Sequence, residues 1–269
     1  MIRAGLTSVT FRKLAPREIA RLAAEAGLAG IEWGGDIHVP HGDLAAAARA
    51  AALTRDAGLQ VASYGSYYRV GQEEPDTFSR VLETALTLGA PIIRVWAGRL
   101  GSSQADQAHR DRVAADGRRI AGLAAERGIR IACEWHGNTL TDSAASATAL
   151  FDAVGHPAFQ TYWQPHQRMS CEECLRDMDA ALPRLAGLHV FHWDEQRARR
   201  LPLQEGEAAW KQYLAKVVRG GPLALPSPRG GEGKTPRSSL FVLLEFVVDD
   251  SPEQMLRDAE VLRSWLAAL

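Results

Sequence analysis

Short apolar runs alternate with longer amphipathic stretches from one end of the chain to the other. The runs predict strands at Arg3–Ser8, Gly30–Trp33, Gln60–Tyr64, Ile92–Ala97, Arg130–Trp135, Gln160–Gln164, Gly187–Trp193 and Leu240–Val247. The amphipathic stretches predict helices at Pro16–Ala26, Leu44–Ala57, Asp76–Leu88, Gln104–Arg127, Ser143–Val154, Cys171–Ala181, Glu207–Val217 and Pro252–Ala268. Their ends carry physical signals. Gly27, Gly58, Gly89 and Gly128 each follow a helical stretch, where a left-handed cap favours glycine. Pro16 and Pro252 stand at first helical turns, where the missing N–H costs nothing. Ile92-Ile93-Arg94-Val95-Trp96 has the β-branched and aromatic content of a buried parallel strand.

Strict strand–helix alternation implies a parallel sheet with helices outside it. Eight such units in a chain of 269 residues match a single (β/α)8 TIM barrel. An open doubly wound sheet would show a glycine-rich turn after its first strand. Here that turn reads Thr7-Ser8-Val9-Thr10-Phe11, without glycine.

One segment breaks the alternation. Residues 219–238 hold four prolines and five glycines among twenty residues and show no apolar period. They fall between the seventh helix and the eighth strand, which places them on the amino-end face, away from the chemistry. We expect a flexible surface insertion within one domain spanning residues 1–269.

Composition narrows the function classes. The chain is 46% hydrophobic with a formal net charge of -1, so charge gives no argument for nucleic acid or an anionic membrane as partner. No apolar run approaches the ~20 residues that cross a bilayer, and the first residues lack a signal-peptide core. A cytoplasmic location is the expectation. Three cysteines make no disulfide framework; Cys171 and Cys174 form a lone CxxC at a helix start.

Catalytic groups of a (β/α)8 barrel sit at strand carboxyl ends and in the loops after them. The polar residues interrupting apolar runs there are Glu32, Glu134, His136, Gln164, His166, His189, His192 and Glu245. Glu245 has three apolar residues on either side. A carboxylate so placed is costly unless it is paired or bound to a cation. An arginine partner inside the barrel is one explanation. Two glutamates and a histidine on three strands converging at one rim favour a shared metal instead. Oxygen ligands with one imidazole suit Mn2+, Mg2+ or Co2+, with Zn2+ also open. His189 and His192 lie three positions apart and cannot both point inward on a regular strand, and His189 is the better ligand.

The chain resembles the xylose isomerase-like barrel superfamily of sugar phosphate isomerases and epimerases. The resemblance rests on Ile31-Glu32-Trp33, Arg94 to Gly98, Glu134 to Asp142, Tyr162 to Pro165, Leu188 to Trp193 and Leu244 to Val247. It implies a metal held by Glu134, Gln164, His189 and Glu245, on the fifth to eighth strands. Gln164 departs from the superfamily's usual aspartate; an amide oxygen still ligates but carries no charge. A second register puts His166 near the metal. The resemblance also implies substrate contacts for His136 and for Arg200, which shares a post-strand loop with Arg197 and Arg199. Arg94, inside an apolar strand, is a further substrate contact or a partner for Glu32 or Glu134. Glu32 and Trp96 complete the candidate substrate set. Trp33, Trp135 and Trp163 also stand at strand ends, where flat rings line a sugar or pack the core.

The expected activity is therefore isomerisation or epimerisation of a small sugar-like substrate. The metal would act as a Lewis acid, while Glu134 and Glu245 exchange a proton with the carbon beside a carbonyl. A metal-dependent dehydratase or lyase of an inosose or keto acid is the alternative on the same fold. A metal-free sugar-binding barrel is another, with Gln164 as its hint. A multi-zinc nuclease requires more His and Asp ligands than this chain offers. The resemblance leaves a homodimer open.

Overall fold

The computed structural model describes residues 1–166, 169–194, 199–220 and 239–269. Among these, strands β1 (Ile2–Thr7), β2 (Gly30–Gly34), β3 (Gln60–Arg69), β4 (Ile92–Trp96), β5 (Arg130–Glu134), β6 (Phe159–Trp163), β7 (Leu185–Val190) and β8 (Leu240–Leu244) pair in parallel in chain order. β8 closes on β1, with Gly5 opposite Leu243 and Leu6 opposite Leu244. Between them run helices α1 (Pro16–Glu25), α2 (Leu44–Asp56), α3 (Pro75–Leu88), α4 (Gln107–Glu126), α5 (Ala144–Val154), α6 (Cys171–Ala181), α7 (Glu207–Gly220) and α8 (Pro252–Ala267). The (β/α)8 barrel expected from the alternation is the observed fold.

Local chemistry sets the boundaries. Gly27, Gly58, Gly89 and Gly128 take positive φ values of 66°, 74°, 75° and 74° at helix ends. Ser170 and Glu173 form a reciprocal capping box at the start of α6, with Ser170 N–H donating to Glu173 Oε2 at 2.7 Å. Ser251 caps α8 by accepting from the Gln254 N–H at 3.2 Å.

The principal core lies between strands and helices, where Ile19, Trp33, Phe78, Ile131, Trp163, Leu188, Trp210 and Leu262 are buried. A smaller apolar layer fills the barrel interior: Ala62, Ile92, Ala132, Tyr162, Ala186, Phe241 and Leu243. Phe241 occupies the floor because β2, across the barrel interior from it, carries glycine there. A Cβ on Gly30 would lie 2.7 Å from the Phe241 ring. The apolar floor leaves the other end of the barrel for polar residues.

Three strand carboxyl ends, those of β3, β7 and β8, differ from the sequence expectation by more than one residue. β3 continues to Arg69 instead of stopping at Tyr64, through an irregularity described below. β7 ends at Val190, because the chain then turns into a loop closed by a bridge between Trp193 and Arg200. β8 ends at Leu244, and the left-handed Phe246 (φ 53°) turns the chain away two residues later. Helix α7 reaches Gly220, so the first two residues of the expected insertion are helical. Residues 221–238 lie outside the described residues.

Candidate active site

The polar end of the barrel is built around Arg94. Its Nε donates to Glu32 Oε1 at 2.9 Å, and its Nη1 is in contact with Glu134 Oε2. The indole N–H of Trp96 meets the same Glu134 oxygen. Ser63 donates to the other Glu32 oxygen at 2.6 Å. All three charged side chains are at most 5% exposed. The cluster needs a missing side chain next to it. A Cβ on Gly65 would stand 2.7 Å from Arg94 Nη2 and 2.9 Å from Glu32 Oε1. Arg94 therefore takes the second of its two sequence-level roles, the partner of Glu32 and Glu134, while still lining the cavity.

His189, from β7, completes the group and is fully buried. Its Nδ1 stands 3.5 Å from Glu134 Oε1 and 3.4 Å from Glu245 Oε2, and its Nε2 lies 3.5 Å from Glu32 Oε1. Gln164 Oε1 is 3.2 Å from Nδ1. Glu245 is held just past β8 by its own N–H, which donates to Val190 O at 2.9 Å. Ligand atoms of Glu134, His189 and Glu245 all fall within 4.8 Å of one another. Glu245 Oε2 and His189 Nε2 are buried without a hydrogen-bond partner. Such atoms are costly to leave unmatched.

Three carboxylates against one guanidinium leave two negative charges in excess when His189 is neutral. Burial disfavours the charged form of every member. For Glu32 that penalty is outweighed by Arg94 and then His189, which hold its pKa down to about 2. Arg94 and His189 hold Glu134 lower still. Burial lowers the His189 pKa, but Glu245 and Glu32 outweigh it and lift the imidazole to about 10. Glu245 goes the other way: burial, with Glu134 nearby, raises it to about 7 against the pull of His189. A proton on His189 and one on Glu245 balance the buried charge, and a divalent cation does the same. The donor set, the unmatched Glu245 Oε2 and the charge count all fit such an ion, held by Glu134, His189 Nδ1 and Glu245 with Gln164 beside them.

Above the cluster opens a cavity of about 720 Å³. Arg94, Trp96, Glu134, Gln164 and Glu245 form its inner wall. His136 and His166 line it further out; the His136 ring packs 5.1 Å from Trp96, and its Nδ1 lies 2.6 Å from Gly137 O. Arg200 reaches the wall while held by Val247 O at 3.1 Å and Asp250 at 2.5 Å. Two candidates are placed below the cavity instead of on it. Glu32 and His189 are 1% and 0% exposed and reach it only through neighbours. His192 packs against Gly206, where an added Cβ would meet its ring at 2.8 Å. Arg199 is exposed and pairs with Asp194 at 3.4 Å; Arg197 lies outside the described residues. Trp33 donates to Thr54 at 3.0 Å and Trp163 packs on Trp210 and Tyr213, so both belong to the core. Trp135 reaches the cavity wall but donates to Asp177 at 3.4 Å.

The cavity also has walls that the sequence pattern did not single out: Arg12, Tyr67, Asp142 and Phe246. Tyr67 and Phe246 both take the left-handed conformation, with φ 60° and 53°. Arg12, on the loop after β1, pairs with Asp36 and donates from Nη2 to the Tyr67 hydroxyl at 3.1 Å. A signal existed for Tyr67. The Tyr64-Gly65-Ser66-Tyr67-Tyr68 run continues β-forming residues past the expected strand end.

The xylose isomerase-like TIM barrel family model matches residues 20–228. The chain belongs to that family. No curated protein matches it in sequence. Among solved structures it is similar to the probable 3-DHS dehydratase AsbF involved in petrobactin synthesis from Bacillus anthracis. That likeness has a TM-score of 0.76 and 18% identity, covering 98% of this chain and 99% of that one. It is similar to D-allulose 3-epimerase from Methylomonas sp. (TM-score 0.71, 15% identity, 98% of each chain). A xylose isomerase-like TIM barrel protein from Mycobacterium smegmatis in complex with magnesium matches with a TM-score of 0.69 and 16% identity, over 99% and 97% of the two chains. Identities this low show the shared fold alone. No described helix is long and apolar enough to cross a membrane.

Proposed function

We propose that this protein is a divalent-metal-dependent isomerase or epimerase of a small sugar-like substrate, acting through proton transfer at the carbon beside a carbonyl. The observation that carries this reading is the convergence of Glu134 and Glu245 on one ring nitrogen of His189, Nδ1, at 3.5 and 3.4 Å, with their protonation pushed in opposite directions. Their environments make Glu245 the carboxyl that can carry a proton, while Arg94 keeps Glu134 ionised. Glu134, His189 and Glu245 would hold a divalent cation, which would supply Lewis-acid polarisation of the substrate carbonyl.

The chain's own groups then do the rest. Glu245, whose burial favours its protonated form, takes the carbon-bound proton. The resulting enediolate regains a proton from Glu245, now carrying the one it took, on the same face, or from His136 on the opposite one. Trp96 and Arg94 fix Glu134 Oε2, while Oε1 lies 3.5 Å from His189 Nδ1. Flat rings of Trp96 and Phe246 offer surfaces on which sugar C–H faces pack.

Relatives of this fold include D-allulose 3-epimerase and a magnesium complex, which support the reading. The likeness to a probable dehydratase favours a second one, in which the same proton abstraction is followed by loss of a β-hydroxyl. Ketoses and inososes incubated in D2O with Mn2+, Mg2+, Co2+ or Zn2+ test both. Deuterium uptake without mass loss supports isomerisation or epimerisation, and a product lighter by one water supports dehydration. No deuterium uptake into any substrate, with every metal, contradicts the proposal.

A further inference from the structure

Strand β3 gains two residues on β4 near the site. Gly65 pairs with Arg94, but the next partners are Arg69 and Trp96. Four steps on one strand therefore answer two on the other, and Ser66 to Tyr68 bulge outward from the ladder. Bulges beside active sites serve to re-aim a side chain. This one is clamped from within. The Ser66 hydroxyl donates to Arg94 O at 2.7 Å and accepts from the Tyr68 N–H at 3.2 Å. The Tyr68 ring is buried and its hydroxyl donates to Asp116 at 2.9 Å. With Ser66 and Tyr68 anchored, Tyr67 is left to point at the cavity.

Tyr67 holds φ at 60°, a conformation bulky residues adopt only where the surroundings impose it. Its ring stands 5.1 Å from Trp96, edge to face, and the Arg94 guanidinium lies 5.1 Å from its centroid. Its hydroxyl accepts from Arg12 Nη2 at 3.1 Å. Arg12 is a donor only, so that contact leaves the phenolic proton itself to be given. Burial pushes the phenol up to about 12, which keeps that proton in place at any working pH.

We propose that Tyr67 is a substrate-contacting residue whose hydroxyl donates to the substrate oxygen that gains negative charge as the carbon is deprotonated. The Arg12 contact polarises the phenol and strengthens its donation. The role rests on the proton-transfer reading above for its timing, but not for the contact itself. A donor aimed at developing charge acts on kcat more than on substrate binding.

Tyr67→Phe removes the hydroxyl and keeps the ring against Trp96 and Arg94. On whichever ketose or inosose the wild-type protein turns over, we expect kcat to fall by about 100-fold. KM should stay within about threefold and the melting temperature should not move. A fall in melting temperature with no selective loss of kcat would make the hydroxyl structural and overturn the proposal. The contact is read separately by 13C NMR of protein labelled at tyrosine Cζ. Among the five tyrosines, the Tyr67 resonance is assigned by its absence in Tyr67→Phe. It should shift on titration with at least one ketose or inosose of the panel, while the buried Tyr64 and Tyr162 stay fixed. If no member of the panel moves it, the contact is refuted. A moving Tyr67 resonance in a protein that exchanges no deuterium would instead refute the proton-transfer reading and leave the contact standing.

Discussion

The side-chain oxygen of Gln164 stands 3.2 Å from Nδ1 of His189, at the position where the family resemblance implies a charged ligand. The amide fits the buried charge. With Arg94 inside the barrel, Glu32, Glu134 and Glu245 already leave the two negative charges that one divalent cation neutralises. A third excess charge would strengthen cation binding further. Gln164→Asp should therefore raise Mn2+ affinity by about tenfold or more, measured by isothermal titration calorimetry at pH 7.5. Unchanged or weaker affinity would show that position 164 does not face the ion.

Glu245→Gln separates chemistry from stability. It removes the carboxylate assigned to proton transfer, so turnover should fall by about a thousandfold or more. The metal-free fold should respond in the opposite sense. Burial raises Glu245 to about 7 from the ordinary 4.5, so the folded chain holds this proton more tightly than the unfolded chain. Native stability then declines as pH rises from about 4.5 through 7, as the buried carboxyl is forced to ionise. The amide escapes that cost, and the metal-free variant should melt higher than wild type at pH 8. Thermal unfolding at pH 5 and pH 8 reads the difference.

His189 adds a second pH dependence of known sign. Its folded pKa is lifted from 6.5 to about 10 by Glu245 and Glu32 against the effect of burial. Its stabilising contribution is complete below 6.5 and is lost as pH climbs through 10. Metal binding must displace that proton and the one on Glu245. The rise in melting temperature produced by Mn2+ should therefore grow from pH 5.5 to pH 8, and binding at low pH should release protons. Calorimetry in buffers of different ionisation enthalpy counts them.

Arg94→Met leaves Glu32 and Glu134 buried without their cation. Breaking one side of a buried ion pair costs about 3–5 kcal/mol, and urea unfolding should show a loss of that size in the metal-free protein. Much of the loss should return with saturating Mn2+, because the ion takes over part of the charge balance.

Much of this architecture was legible because period and punctuation agreed. Helix caps such as Gly89 and Gly128, and the proline starts at Pro16 and Pro252, bounded elements that the barrel then used. Carboxylates inside apolar runs gave away Glu134 and Glu245, since only a partner or a cation makes such burial tolerable. Other features depend on contacts that no local pattern encodes. Glu32 reads as a cavity residue until Arg94, 62 positions later, is seen to cover it. The β3 bulge depends on Ser66 reaching across to the Arg94 carbonyl, so the sequence pattern stops the strand at Tyr64. Trp33 and Trp163 stand at strand ends but face helices, which alternation alone does not decide when both strand faces are apolar.

Metal analysis of protein purified without chelator tests the central claim most directly. The expected result is one divalent ion per chain, lost in both Glu245→Gln and His189→Ala, with deuterium exchange into substrate stopping when the ion is stripped and resuming when Mn2+ is restored. Full exchange activity in stripped protein, or equal metal content in both variants, would contradict it.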